Sequence, residues 1–115
     1  MSGALQRLHD RLDPLGAVSK KMFGGVCFML NGNMVAGTFK DGVLMRTGKE
    51  FDAIADARHD NEMMAMGGRV MAGYRVVKDD VDDRAFDFWM TQALAHNRTL
   101  PAKYAQMHAL RRDGR

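Results

Sequence analysis

Lys21-Met22-Phe23-Gly24-Gly25-Val26-Cys27-Phe28-Met29-Leu30-Asn31-Gly32-Asn33-Met34 is the stretch that decides the class of fold. Met22 to Leu30 is apolar apart from two glycines, includes the strand formers Val26 and Phe28, and runs into Asn31-Gly32, a pair that accepts the positive φ angles of a two-residue hairpin turn. A buried strand and a tight turn are expected, with Met34 to Phe39 as the return strand. Asp41-Gly42 reads as a second turn, and Val43 to Thr47 as a third antiparallel strand. The result is a three-stranded meander.

Working outward, Leu5, Leu8 and Leu12 fall at the spacing of an amphipathic helix, which Asp13-Pro14 ends because proline disfavours helical geometry in the residue before it. A helix is expected over about residues 3–13. Beyond the meander, Phe51, Ile54, Ala55 and Arg58 share one helical face, so a second helix is expected over 49–58. A second glycine-rich stretch, Met66-Gly67-Gly68-Arg69-Val70-Met71-Ala72-Gly73-Tyr74, then joins strands over 63–66 and 70–78, with Gly67-Gly68 as the turn. Finally Asp79, Asp80, Asp82 and Asp83 precede a helical face of Phe86, Trp89, Met90, Ala93 and Leu94, where acids suit the positive end of the helix dipole. The order α-β-β-β-α-β-β-α defines a single α+β domain, an antiparallel sheet packed on helices.

With 115 residues the chain is long enough for one hydrophobic core, and its 46% hydrophobic content includes no run that could span a bilayer. The N-terminus has no signal-peptide pattern and Cys27 has no partner for an internal disulfide, so a cytoplasmic location is expected. The formal charge of +3 is unevenly placed. From Arg98 onward five basic residues face one acid, whereas residues 1–97 carry 12 basic and 13 acidic residues. The basic segment supplies the candidate phosphate contacts Arg98, Lys103, Arg111 and Arg112.

Candidates for chemistry have plainer readings. Gly24 and Gly25 lack the helix and Lys-Ser/Thr of a phosphate-binding loop, so they are expected at a bulge or at tight helix–sheet packing. Cys27, between Val26 and Phe28, reads as an inert core thiol. His9, His59, His96 and His108 have no metal-ligand spacing, and His59-Asp60 reads as a polar turn rather than half of a catalytic relay. The acidic run from Asp79 to Asp87 lacks the EF-hand pattern and reads as a solvated helix N-terminus. No cofactor, metal or catalytic group is expected.

Methionine is the compositional outlier, with 11 in the chain. Met63, Met64, Met66 and Met71 are the candidate interaction surface, and alternation along the strand puts Met64 and Met66 on one face and Met63 on the other. Flexible, polarisable methionines suit a surface that accepts a partner.

Lys21-Met22-Phe23-Gly24-Gly25, followed by Asn31-Gly32-Asn33-Met34, by Met66-Gly67-Gly68 with Gly73-Tyr74, and by a helix containing Trp89, resembles the N-terminal domain of the TfoX/Sxy competence-regulator family over about residues 5–97. The resemblance implies a fold similar to the type III secretion chaperones, often dimeric, and a role in transcriptional control of DNA uptake. It supplies no catalytic residues. Full-length members carry a second, helical domain that residues 98–115 are too few to provide, so the division expected is a TfoX N-terminal-like domain over 1–97 and a basic tail over 98–115. A non-enzymatic regulatory adaptor, self-associating as a homodimer and binding a protein partner, is the leading expectation. A nucleic-acid-associated factor working through the basic tail is the alternative, followed by a small-molecule sensor or enzyme.

Overall fold

The computed structural model describes residues 3–22, 24–40 and 42–102. Its elements are α1 (Gly3–Leu12), β1 (Val18–Met22), β2 (Gly25–Leu30), β3 (Asn33–Phe39), β4 (Gly42–Arg46), α2 (Asp52–Asp56), β5 (Asn61–Met66), β6 (Arg69–Lys78) and α3 (Asp83–Thr99). Short 3₁₀ turns follow α1, at Asp13–Leu15, and precede α2, at Lys49–Phe51. The strands form one six-stranded antiparallel sheet in the order β1-β2-β3-β4-β6-β5. This is the α+β architecture expected, with one strand more than the sequence pattern indicates.

The extra strand is β1. Val18, Ser19, Lys20 and Lys21 are exposed on it, as befits an edge strand whose lysines guard unpaired backbone groups, and the hydrophobic signal that would mark a strand is therefore missing. Gly24 has φ +77° at the turn that closes where Met22 pairs with Gly25. The expected continuous strand from Met22 is thus two strands, and the Gly24-Gly25 pair is neither a bulge nor a helix contact. Gly25 instead lets β3 approach: a Cβ there would lie 2.4 Å from the Thr38 carbonyl oxygen.

Two other turns follow backbone chemistry closely. Asn31 and Gly32 take φ +57° and +79°, and Gly67 and Gly68 take +60° and +79°, the pattern of type I′ hairpins with the right-handed twist of their strands. The β3–β4 turn is shifted from Asp41-Gly42: Gly42 pairs with Phe39 inside the sheet and Lys40 carries the positive φ of +51°. The second helix is shorter than expected, because a 3₁₀ turn replaces its beginning, and Ile54 on its supposed core face is 56% exposed.

All the helices lie on one side of the sheet. Leu8 and Leu12 from α1, Ala55 from α2, and Phe86, Trp89, Met90 and Ala93 from α3 pack with Phe28, Ala36, Val43, Met45 and Val77 in the main core. A β-bulge between Phe28 and Met29 inserts Val35 as an extra residue on β3 and adds it to this core. Asp82 caps α3 by accepting a hydrogen bond from the Ala85 amide at 2.9 Å. Arg7 pairs with Asp83 at 3.1 Å and Arg11 with Asp87, so the acidic run ties α1 to α3. Asn97, 2% exposed, donates from Nδ2 to the Leu30 carbonyl at 3.1 Å, and Asn33 donates to the Pro101 carbonyl at 2.9 Å, fixing the end of α3 to the β2–β3 turn.

Candidate functional site

Strand alternation sends every second residue away from the helices. Along β4, Val43 and Met45 enter the main core while Leu44 between them joins Phe39, Met64, Met34, Met66, Met71, Tyr74 and Val76 in a second apolar cluster on the opposite side. Among the described residues no helix covers that side. Leu44 and Met64 are each 2% exposed because their neighbours close over them, and the surrounding methionines, Tyr74 and Val76 are half-buried. Met63 lies on the helix side, where its sulfur is 3.5 Å from an Arg75 guanidinium nitrogen.

The rim of the open face has a definite sign. By register Lys20, Arg46, Arg69 and Lys78 belong to this side, with Lys40 at the adjoining turn stacked over the Phe39 ring at 5.3 Å. Glu62, opposite Val76, is the acid among these strand residues. Lys40, Glu62, Ala65, Val76 and Lys78 also border a groove of about 360 Å³ whose floor includes Phe39 and Gly42. The helix side carries Asp52, Asp56, Asp60, Asp82, Asp83 and Asp87 on α2, α3 and their approaches, with Arg7, Arg11, Arg58 and Arg75 paired among them.

On that helix side a buried polar network, not legible from spacing, holds α2. Arg75 is 2% exposed; its guanidinium donates to Asn61 Oδ1 at 2.8 Å and Asp56 Oδ1 at 2.7 Å, and lies 3.6 Å from Asp52 Oδ1. Asp60 accepts from Arg58, Asn61 and Trp89 Nε1. Burial alone would raise its pKa, but these hydrogen bonds and the Arg58 charge prevail and hold it down at about 2. His59 is exposed to solvent beside it, so the His59-Asp60 pair is a structural turn built around the aspartate.

The two glycine-rich stretches do not converge. Lys21, Met22, Gly24 and Gly25 sit in the hairpin at one edge of the sheet, while Met66, Gly67, Gly68, Gly73 and Tyr74 belong to the hairpin at the other. Phe23 lies outside the described residues. Gly73 joins β6 to the segment that follows β4. β6 bulges between the Met63–Arg75 and Met64–Met71 pairs, and there Gly73, at φ +85°, donates its amide to Asp52 at 3.0 Å and accepts at its carbonyl from the amides of Thr47 and Gly48. A Cβ would meet the Gly48–Lys49 backbone at 3.1–3.3 Å, so glycine permits both the dihedral and the approach.

Of the candidate phosphate contacts, Arg98 is exposed in the last turn of α3, and Lys103, Arg111 and Arg112 lie outside the described residues. Cys27 is 1% exposed and its thiol pKa is raised by burial, against a smaller lowering from Lys20, which disfavours the reactive thiolate. His9 packs edge-on against Phe28 at 4.9 Å and hydrogen-bonds Asp13. Among the described residues no three His, Cys, Asp or Glu side chains are grouped to hold a metal ion, and no helix is long and apolar enough to cross a membrane.

A family model described as the TfoX N-terminal domain matches residues 10–97. No curated protein and no solved structure matches the chain.

Proposed function

The chain belongs to the TfoX N-terminal domain family, which is associated with competence regulation, and from that premise we propose that it is a non-enzymatic regulatory adaptor that captures a protein partner on the open face of its sheet. The observation that carries the proposal is the second apolar cluster with its basic rim. Methionines at such a site repack around varied apolar side chains at little cost, while Lys20, Lys40, Arg46, Arg69 and Lys78 select the charge of what approaches. The partner that fits is an amphipathic segment, apolar on one stripe and acidic beside it. A face-to-face pair of copies would oppose the two basic rims, so an acidic heterologous partner fits this face better than a homodimer does.

The test uses the full chain and a labelled amphipathic helical peptide with leucines along one face and Asp or Glu elsewhere. Saturable binding that weakens with salt and falls when the uncharged polar Met66→Gln or Met71→Gln is introduced is expected. The proposal fails if the same peptide with lysines in place of its acids binds equally well, or if the methionine substitutions leave binding unchanged. Self-association through this face would redirect the reading to a homodimer, and salt-sensitive preference for duplex DNA over the peptide would favour a nucleic-acid factor.

A further inference from the structure

A second surface, at the end of the sheet, has its own chemistry. Among the described residues, Arg7, Arg11 and Arg58 are half-buried and Arg75 is buried, and each holds a carboxylate. Arg69, Arg84 and Arg98 are exposed to solvent. Arg46 breaks the pattern: it is half-buried, its guanidinium lies over the Tyr74 ring at 5.5 Å, and it forms no salt bridge among the described residues. Beyond that ring contact the Arg46 donors have no protein acceptor among the described residues, which leaves its planar fork available to an anion.

Arg46 borders an open cleft of about 320 Å³ between the end of β4, the Gly73 bulge and the last turns of α3. Lys49 and His96 line the same cleft, and Glu50 is its acidic member. The cleft is shaped by backbone: Gly48 has φ +91°, and a Cβ there would lie 2.5 Å from His96 Nδ1, so the imidazole sits against the main chain where only glycine leaves room. Burial lowers the His96 pKa, the Arg46 charge lowers it further, and Glu50 opposes. The imidazole is therefore held towards its neutral form.

We propose that this cleft binds the phosphoryl group of a small phosphorylated molecule, with Arg46 and Lys49 donating to its oxygens and His96 hydrogen-bonded beside them. The planar fork of arginine matches two phosphoryl oxygens, and lysine adds a second positive charge. A cationic ligand would meet Arg46 and Lys49, with Glu50 the one acidic group on the lining. The site shares Arg46 and Tyr74 with the rim of the docking face, while Gly48, Lys49 and His96 belong to the cleft alone.

The experiment is titration of the full chain with inorganic phosphate and with glycerol 3-phosphate, followed by amide and imidazole NMR. Saturable shifts at Gly48, Lys49, Gly73 and His96 are expected, together with a rise in the His96 pKa on binding. Arg46→Gln should weaken binding about tenfold or more, the scale of one charge-assisted hydrogen bond. The exposed Lys49→Gln should weaken it without affecting the fold. Met66→Gln should leave it unchanged, which separates the failure of this site from the failure of the docking face. Shifts that do not saturate, that spread equally over Lys20, Lys40 and Lys78, or that survive Arg46→Gln would overturn the proposal.

Discussion

Alternate residues of the same strands build two unlike faces. On the helix side Phe28, Val43, Met45 and Val77 interlock with α1 and α3, and the buried Arg75 and half-buried Asp60 are tied into hydrogen-bonded networks. On the open side Leu44, Met64 and Val76 are enclosed by methionines and an aromatic ring, with basic residues around them. Helix-side residues are thus constrained by many partners at once, whereas half-buried methionines on the open side lose little when their neighbours change. A helix-packed core and an uncovered apolar cluster are thus separated by a period of two residues.

The largest effect should come from Trp89→Ala. Trp89 is fully buried, packs edge-on against Phe51 and Phe88, and donates to Asp60, so urea unfolding should show a loss of about 3–5 kcal/mol. Arg75→Ala follows: it removes the cation facing Asp52 and Asp56, and a loss of about 3 kcal/mol is expected in the same measurement. A cost under about 1 kcal/mol would mean that α2 does not depend on this network.

Gly73→Ala should cost about 1–3 kcal/mol, since it forces a non-glycine residue to φ +85° against the Gly48–Lys49 backbone. Next is a pH effect. Asp60 is held at about 2 when folded, below the ordinary carboxylate value, so its stabilising contribution is complete above about pH 4 and is lost as pH falls towards 2. Asp60→Asn should remove that part of the acid dependence, on the order of 1 kcal/mol, in unfolding curves recorded between those pH values. The smallest expected effect on stability is that of Met66→Ala, under about 1 kcal/mol, because Met66 is only half-buried on the open face. A loss comparable to that of Trp89→Ala would erase the distinction between the faces.

Much of this architecture is visible in local chemistry. Asn31-Gly32 and Gly67-Gly68 demand their turns, and the spacing of Phe86, Trp89, Met90 and Ala93 marks α3, because backbone dihedrals and helical periodicity are short-range properties. The separation of Met64 and Met66 from Met63 follows equally from strand alternation. β1 is obscured because an exposed edge strand carries lysines in place of a hydrophobic pattern. Arg75 is hidden for another reason: a buried arginine cannot be told from a solvated one until Asn61, Asp52 and Asp56, distant in sequence, are brought around it. The basic rim is dispersed in the same way, its members lying on β1, β4, β6 and a turn, so charge counting along the chain points to the C-terminal tail instead.

The central claim, that the open face is where a partner docks, is tested most directly by methionine-methyl NMR of the full chain during titration with the acidic amphipathic peptide. Shifts confined to Met34, Met64, Met66 and Met71, with Met45 and Met90 in the helix-side core unmoved, are the predicted result. Saturable peptide binding that leaves those four methyls unmoved would contradict it.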